Sequence, residues 1–181
     1  INTVYKVQME GLMRLKAMAK INLGLDVLGK REDGYHEVRM IMQTIRMYDI
    51  LDIRKTRRPG IVLTTNLPFI PTDQRNLVYK AAQMLMEEFD VEEGLSIKLR
   101  KFIPVAAGMA GGSSDAAAAF VGVNRMFHLG LTEEQLMERA VKVGADVPYC
   151  IMRGTALAEG IGEKLTRLPE VPKCYVLIGK P

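Results

Sequence analysis

Pro104–Ala119, PVAAGMAGGSSDAAAA, is the stretch on which the reading of this chain turns. It reads as the end of a strand, a glycine-bearing loop and the opening of a helix. Gly108, Gly111 and Gly112 leave backbone N–H groups unshielded, and glycine admits positive φ angles at no steric cost. Ser113, Ser114 and Asp115 are each competent to cap a helix N-terminus, and Ala116–Ala119 predicts a helix that packs closely on whatever lies beneath it. A helix start carries unpaired N–H groups and a partial positive charge, so the stretch is set up to hold an anion, phosphate first. Neither common phosphate motif is present. A Walker A loop needs a lysine between its last glycine and the serine, and here Ser113 follows Gly112 directly. The dinucleotide fingerprint fails too, because Gly108, Ala110 and Ser113 fill its three glycine slots.

Outward from the loop, the chain alternates strands and helices in blocks. Upstream, Met13–Ala19 alternates with Met13, Leu15, Ala17 and Ala19 on one face, which predicts a strand buried on one side. Ile21–Leu28 continues it, or forms a second strand, with Ile21, Leu23, Leu25 and Val27 on one side. Gly29–Gly34 reads as a turn. Val38–Met47 and Asp49–Arg57 read as an antiparallel pair with a turn near Tyr48-Asp49. Ile61–Thr65 is one more strand, 66–75 a loop, and Asn76 caps a helix over Leu77–Phe89. Leu95–Leu99 is a strand that feeds the glycine loop, whose helix runs to about Phe127. Thr132 and Gln135 form a capping box that opens a helix to about Val143. Gly144–Pro148 is a tight turn, and Gly154–Glu159, Glu163–Leu168 and Lys173–Ile178 read as three strands. Strands, helix, strand, helices, strands is an α+β order, not an alternating α/β one.

Composition narrows the function only a little. A chain of 181 residues, 48% hydrophobic, can bury one substantial core. A net charge of +4 and a pI near 9.1 suit an anionic small molecule as well as nucleic acid. Cys150 and Cys174 sit in apolar runs, which predicts buried free thiols in a reducing cytoplasm. No apolar run approaches the ~20 residues of a membrane span. Residues 1–12 read as an irregular leader extraneous to the fold, and the stop at Gly179-Lys180-Pro181, inside an expected strand, reads as a truncation.

Three further places carry polar groups in apolar surroundings. Lys20 and Asn22 interrupt the first strand two residues apart and so share a face. Asp146 lies among small and apolar residues in the turn GADVP, where an aspartate also serves simply to make the turn. Tyr35 and His36 stand together on a loop, while His128 sits where a helix ends.

Taken in order, AKINLGL (Ala19–Leu25), DGYH (Asp33–His36), Asn76 with its helix, the glycine loop, GADVPYC and GTALAEGIG (Gly154–Gly162) resemble the N-terminal lobe of the galactokinase–homoserine kinase–mevalonate kinase–phosphomevalonate kinase superfamily. Within it they resemble the branch that phosphorylates the 2-hydroxyl of 4-diphosphocytidyl-2-C-methyl-D-erythritol with ATP, in the non-mevalonate route to isoprenoids. The resemblance covers Met13–Pro181 and implies a mixed sheet with helices packed on it, similar to a ribosomal-protein domain. It implies ATP held along Pro104, Val105, Ala106, Ala107, Gly108, Met109, Ala110, Gly111, Gly112, Ser113 and Ser114, with Mg2+ nearby on ligands it does not name and with Asn76 and Lys101 near the adenine. It implies Lys20 and Asp146 as the catalytic pair. Asn22, Tyr35 and His36 would contact substrate, Tyr35 by stacking on cytosine and His36 by reading its edge. Ala110 stands where many members carry glycine, so an ordinary backbone region is expected there. The family's C-terminal lobe is missing from the resemblance, so the isolated chain is expected to be inactive or weakly active. Its expected partners are the small-molecule substrate and ATP, with no nucleic acid and no membrane. Two other readings stand beside this one. One is another kinase of the superfamily, against which Tyr35-His36 argues. The other is an RNA-binding module of similar fold, against which the basic clusters Arg54–Arg58 and Lys98–Lys101 argue, since aromatics hardly interleave them.

Overall fold

The alternation in the first strand and the central strand it pairs with build the whole sheet. The computed structural model describes residues 11–179. Its elements are β1 (Leu12–Lys30), β2 (His36–Thr56), β3 (Ile61–Thr65), α1 (Leu77–Glu88), β4 (Gly94–Arg100), α2 (Gly111–Met126), α3 (Glu133–Ala140), α4 (Val147–Met152), β5 (Thr155–Gly160) and β6 (Lys164–Arg167). β2 is the axis. β1 runs antiparallel along one edge, while β4 and β5 share the other, β4 against Ile50–Thr56 and β5 against Val38–Gln43. β3 joins β4 in parallel and β6 closes the far end against β5. The sheet is mixed, as the resemblance implied, and the class is α+β.

One core lies between the sheet and the helices. Leu15 and Ala17 of β1, Leu51 and Ile53 of β2, and Ile97 of β4 meet Ala116–Ala119 and Phe120 of α2. The alanines let α2 come close, and Gly122 takes this furthest. A Cβ there would lie 2.4 Å from Ile53 Cδ1 and 3.1 Å from Leu15 Cδ1, so only glycine fits without displacement. α1 is capped by Asn76, whose Oδ1 accepts from the Val78 N–H at 2.9 Å. The expected capping box of α3 is present at Thr132 and Gln135.

Several expectations need correction. β2 does not turn at Tyr48-Asp49; both residues stay in the ladder, opposite Met18 and Ala17. Asp49 forms no turn because its carboxylate is fully buried and accepts backbone N–H groups from Phe102 and Ile103. The continuation Ile21–Leu28 belongs to β1, but Leu23, Leu25 and Val27 are exposed. Every residue from Asn22 to Lys30 is exposed, so this arm of the strand has no buried face, and register shifts at Asn22/Gly24 and Val27/Gly29 interrupt its pairing. Gly144–Pro148 runs into α4, a helix the periodicity did not show because it is only six residues long and buried all round. Lys173–Ile178 forms no ladder among the described residues, and Tyr175 and Leu177 are fully exposed. Cys150 is buried as expected, whereas Cys174 is exposed. The leader lies outside the described residues except for Gly11 and Leu12, and Leu12 is buried in β1 and belongs to the fold.

Candidate active site

The glycine loop leaves β4 and wraps the start of α2. Ala106, Gly108 and Ala110 all have positive φ, at 59°, 75° and 53°. Ala110 is therefore not in an ordinary region; it takes the left-handed conformation at the helix cap position, and no side chain caps the helix. Left-handed residues at alternate positions curl the backbone so that N–H groups converge, which makes an anion-binding concavity. The expected caps do other work. Ser114 Oγ donates to the Met18 carbonyl at 2.5 Å, tying α2 to β1. Asp115 turns inward. A small apolar cluster of Ala19, Ile103 and Met109 pins the loop to β1, and the Lys20 N–H donates to the Met109 carbonyl at 3.2 Å.

That stitching sets Lys20 beside the loop. Its side chain is 6% exposed, and Nζ lies 3.2 Å from Asn22 Oδ1 and 3.4 Å from Asp146 Oδ2. Asp146 occupies the cap position of α4 but makes no cap hydrogen bond, so its carboxylate, 32% exposed, is left to the lysine and to solvent. Lys20, Asn22 and Asp146, three expected site residues, are thus together. A cavity of about 470 Å³ opens beside them, lined by the loop, Asn76, Lys101, Asp115 and Asp146. Its size suits a nucleotide-sized ligand.

Asn76 and Lys101 reach the cavity wall, but their side chains are already engaged. Asn76 caps α1 and its Nδ2 donates to the Pro71 carbonyl at 2.8 Å. Lys101 Nζ bonds the buried Asp49 and, at 2.6 Å, Asp115 Oδ2. Sequence reasoning missed both carboxylates, having taken Asp49 for a turn and Asp115 for a cap. Gly111 leaves room for the lysine, since a Cβ there would lie 3.1 Å from Nζ. Asp49 is fully satisfied: Oδ1 accepts two backbone N–H groups and Oδ2 the ammonium. Asp115 is not, for its buried Oδ1 has no partner. Burial raises the Asp115 carboxyl well above its ordinary range; the Lys101 charge opposes this and the Asp49 charge adds to it. The sequence signal was a lone aspartate in a run of otherwise small residues.

Tyr35 and His36 lie elsewhere. They stand exposed at the tip of the β1–β2 hairpin, ordered by Asp33, whose Oδ1 accepts the Tyr35 N–H at 3.1 Å. Among the described residues no hydrogen bond joins either one to Lys20, Asn22 or Asp146.

Known proteins resemble this chain in sequence and in fold. Residues 76–154 match the GHMP kinases N terminal domain. Over 169 residues the chain is 57% identical to a 4-diphosphocytidyl-2-C-methyl-D-erythritol kinase of Lachnospira eligens, covering 93% of this chain and 59% of that protein. The kinase of the same name from Caldicellulosiruptor bescii is 56% identical, with 93% and 59% covered. The chain thus spans about three fifths of these relatives. A crystal structure of 4-(cytidine 5'-diphospho)-2C-methyl-D-erythritol kinase superposes with a TM-score of 0.75 at 35% identity, over 86% of this chain and 55% of that one. Homoserine kinase from Cytophaga hutchinsonii, 19% identical, shares the fold with a TM-score of 0.71.

Proposed function

We propose that this chain, which belongs to the GHMP kinases, supplies the phosphate-holding wall and the catalytic pair of an enzyme that phosphorylates the 2-hydroxyl of 4-diphosphocytidyl-2-C-methyl-D-erythritol with ATP. The observation that carries the reading is the buried Lys20 held between Asn22 and Asp146 at the edge of the glycine-loop cavity. Phosphoryl transfer asks for positioning and charge neutralisation more than for covalent help. The uncapped N–H groups of α2 and the curled loop hold the phosphates in place of a Walker lysine. Asp146 accepts the proton of the attacking hydroxyl as its oxygen bonds to the γ-phosphorus and the bond to the departing ADP breaks. Lys20, its Nζ 3.4 Å from that carboxylate, stabilises the developing alkoxide. Tyr35 stacks on the cytosine and His36 reads its edge.

Among the described residues no group of three or more His, Cys, Asp or Glu side chains could hold a metal ion. Magnesium keeps most of its shell in water and substrate phosphate oxygens, so Asp146, a partly exposed carboxylate on the cavity wall, fits such an ion. Bound there it would neutralise charge on the transferring phosphoryl.

ADP release by the full-length protein tests the reading, with 4-diphosphocytidyl-2-C-methyl-D-erythritol against mevalonate and homoserine. Turnover is expected on the cytidyl substrate alone, and Asp146→Asn lowers kcat by about 10²–10⁴. A folded full-length protein idle on all three, or an Asp146→Asn variant of undiminished rate, overturns it.

A further inference from the structure

A second cavity, of about 620 Å³, shares no lining residue with the glycine-loop cavity. It lies between the middle of β2, the second half of α2 and the junction of α4 with β5. Arg46, Arg125 and Arg153 line it, and among the described residues none of the three forms an ion pair. Arg167 also lines it but is tied to Glu133 at 2.5 Å. Glu133 and Glu170 line it as well, so four arginines stand against two carboxylates and the concave site carries a surplus of positive charge, which favours an anion.

Arg153 is built into its place. Its guanidinium is half-buried and spends one donor, Nη2, on the Lys16 carbonyl at 3.0 Å. Burial pulls its pKa down, and the Arg125 charge pulls it further, so the two guanidinium groups feel each other. The backbone is strained: φ is 59° and ψ −177°, a region that side chains avoid. A network holds it there. The Arg153 N–H donates to the Tyr149 carbonyl at 2.7 Å and the Tyr149 hydroxyl to the Gly154 carbonyl at 2.7 Å. Gly154 N–H in turn donates to Thr44 Oγ1 at 3.1 Å. Strain that surrounding bonds maintain at a charged side chain is a mark of function. The arginine fork matches phosphate oxygens in pairs.

We infer that this cavity is a second anion site, separate from the one that holds the ATP phosphates, and that it takes a phosphate or diphosphate ester of a small molecule. Ile45, Val121 and Leu136 add apolar wall beside the arginines, so the ester's organic part is seated as well as its charge.

The test is calorimetric titration of the full-length protein with inorganic diphosphate, its glycine-loop site first filled with a non-hydrolysable ATP analogue. Binding is expected, weakening as salt rises. Arg46→Gln with Arg125→Gln, both on exposed positions, is expected to weaken it by about tenfold or more while leaving the thermal midpoint of the unliganded protein in place. Arg153→Lys keeps the charge but loses the fork, and is expected to weaken it too. The inference falls if no diphosphate binds once the loop site is filled. It falls equally if binding appears only above about ten millimolar, or if the paired glutamine variant binds as tightly as the parent.

Discussion

Lys101→Met is the perturbation that tests the cavity floor most directly. The ammonium is shared by two carboxylates, Asp49 with its side chain fully buried and Asp115 at 3% exposure. Methionine matches the stem but not the charge. Breaking a buried ion pair by removing one partner typically costs about 3–5 kcal/mol. The lower end applies here, because both survivors have some relief. Asp49 keeps its bonds from the Phe102 and Ile103 N–H groups at 2.5 and 2.8 Å. Asp115, already pushed above its ordinary range by burial, can take a proton. A loss of about 3 kcal/mol is a large share of the ~5–15 kcal/mol of a folded domain. In a chain of this size it lowers Tm by about 6–12 °C. Urea unfolding at neutral pH, with the slope unchanged, is the assay. The double variant Lys101→Met/Asp115→Asn, which removes the second buried charge, is expected to recover part of the loss, a coupling of about 0.5–3 kcal/mol. A single variant that loses less than about 1 kcal/mol, or a double variant that merely adds the two losses, refutes the shared-cation account.

Stability should also carry the titration of Asp115. Its folded pKa is raised, so the folded state holds the proton more tightly than the unfolded chain does. The stabilisation is full below the unfolded value of about 3.9 and is lost as pH rises through the folded value. Asp115→Asn removes that dependence, so its stability relative to the parent should improve steadily with pH; parallel curves would refute this. Gly122→Val drives a side chain into Ile53 and Leu15, and a loss of about 1–3 kcal/mol is expected on thermal unfolding. Ala110→Gly relieves a left-handed alanine, worth about 1–2 kcal/mol, less the unfolded-chain entropy of glycine at about 0.4–1 kcal/mol. A net gain of about 0.5 kcal/mol is expected, and a loss would count against the strain argument. Burial pushes the Cys150 thiol up to about 12. Mass spectrometry after brief alkylation at neutral pH should therefore find the label on the exposed Cys174 and not on Cys150.

Much of the site was legible because its residues break local patterns. A lysine and an asparagine in an apolar strand, or an aspartate among small residues in a turn, stand out against periodicity, and the fold brings Lys20, Asn22 and Asp146 together. Strands with one buried face, and helices with caps, were legible for the opposite reason: they keep the local pattern. What stayed hidden depends on partners far along the chain. Asp49 looks like a turn former until Phe102 and Ile103, 53 and 54 residues away, are seen to bind it. Asp115 looks like a cap until Lys101 reaches it from the preceding strand's end. The short α4 has no polar face to set a period, and Leu23–Val27 lies in an arm of β1 exposed on both faces, so its alternation marks no buried side.

One irregularity joins these pieces. β1 departs from regular pairing between Met18 and Lys20, one residue on either side of Ala19. Backbone groups on either side of that shift meet the glycine-loop wall: the Met18 carbonyl accepts Ser114 Oγ, and the Lys20 N–H donates to the Met109 carbonyl. A bulge sharpens local twist and re-aims the next side chain. Here Lys20 re-enters the ladder opposite Thr44 with its side chain beside Asp146, while Ala19 stays in the small cluster that pins the loop. The strand therefore forgoes a regular ladder step, and in exchange the loop's position and the lysine's direction depend on the same two hydrogen bonds. A change that loosens the loop should for that reason also displace Lys20, even where it touches neither Lys20 nor Asp146.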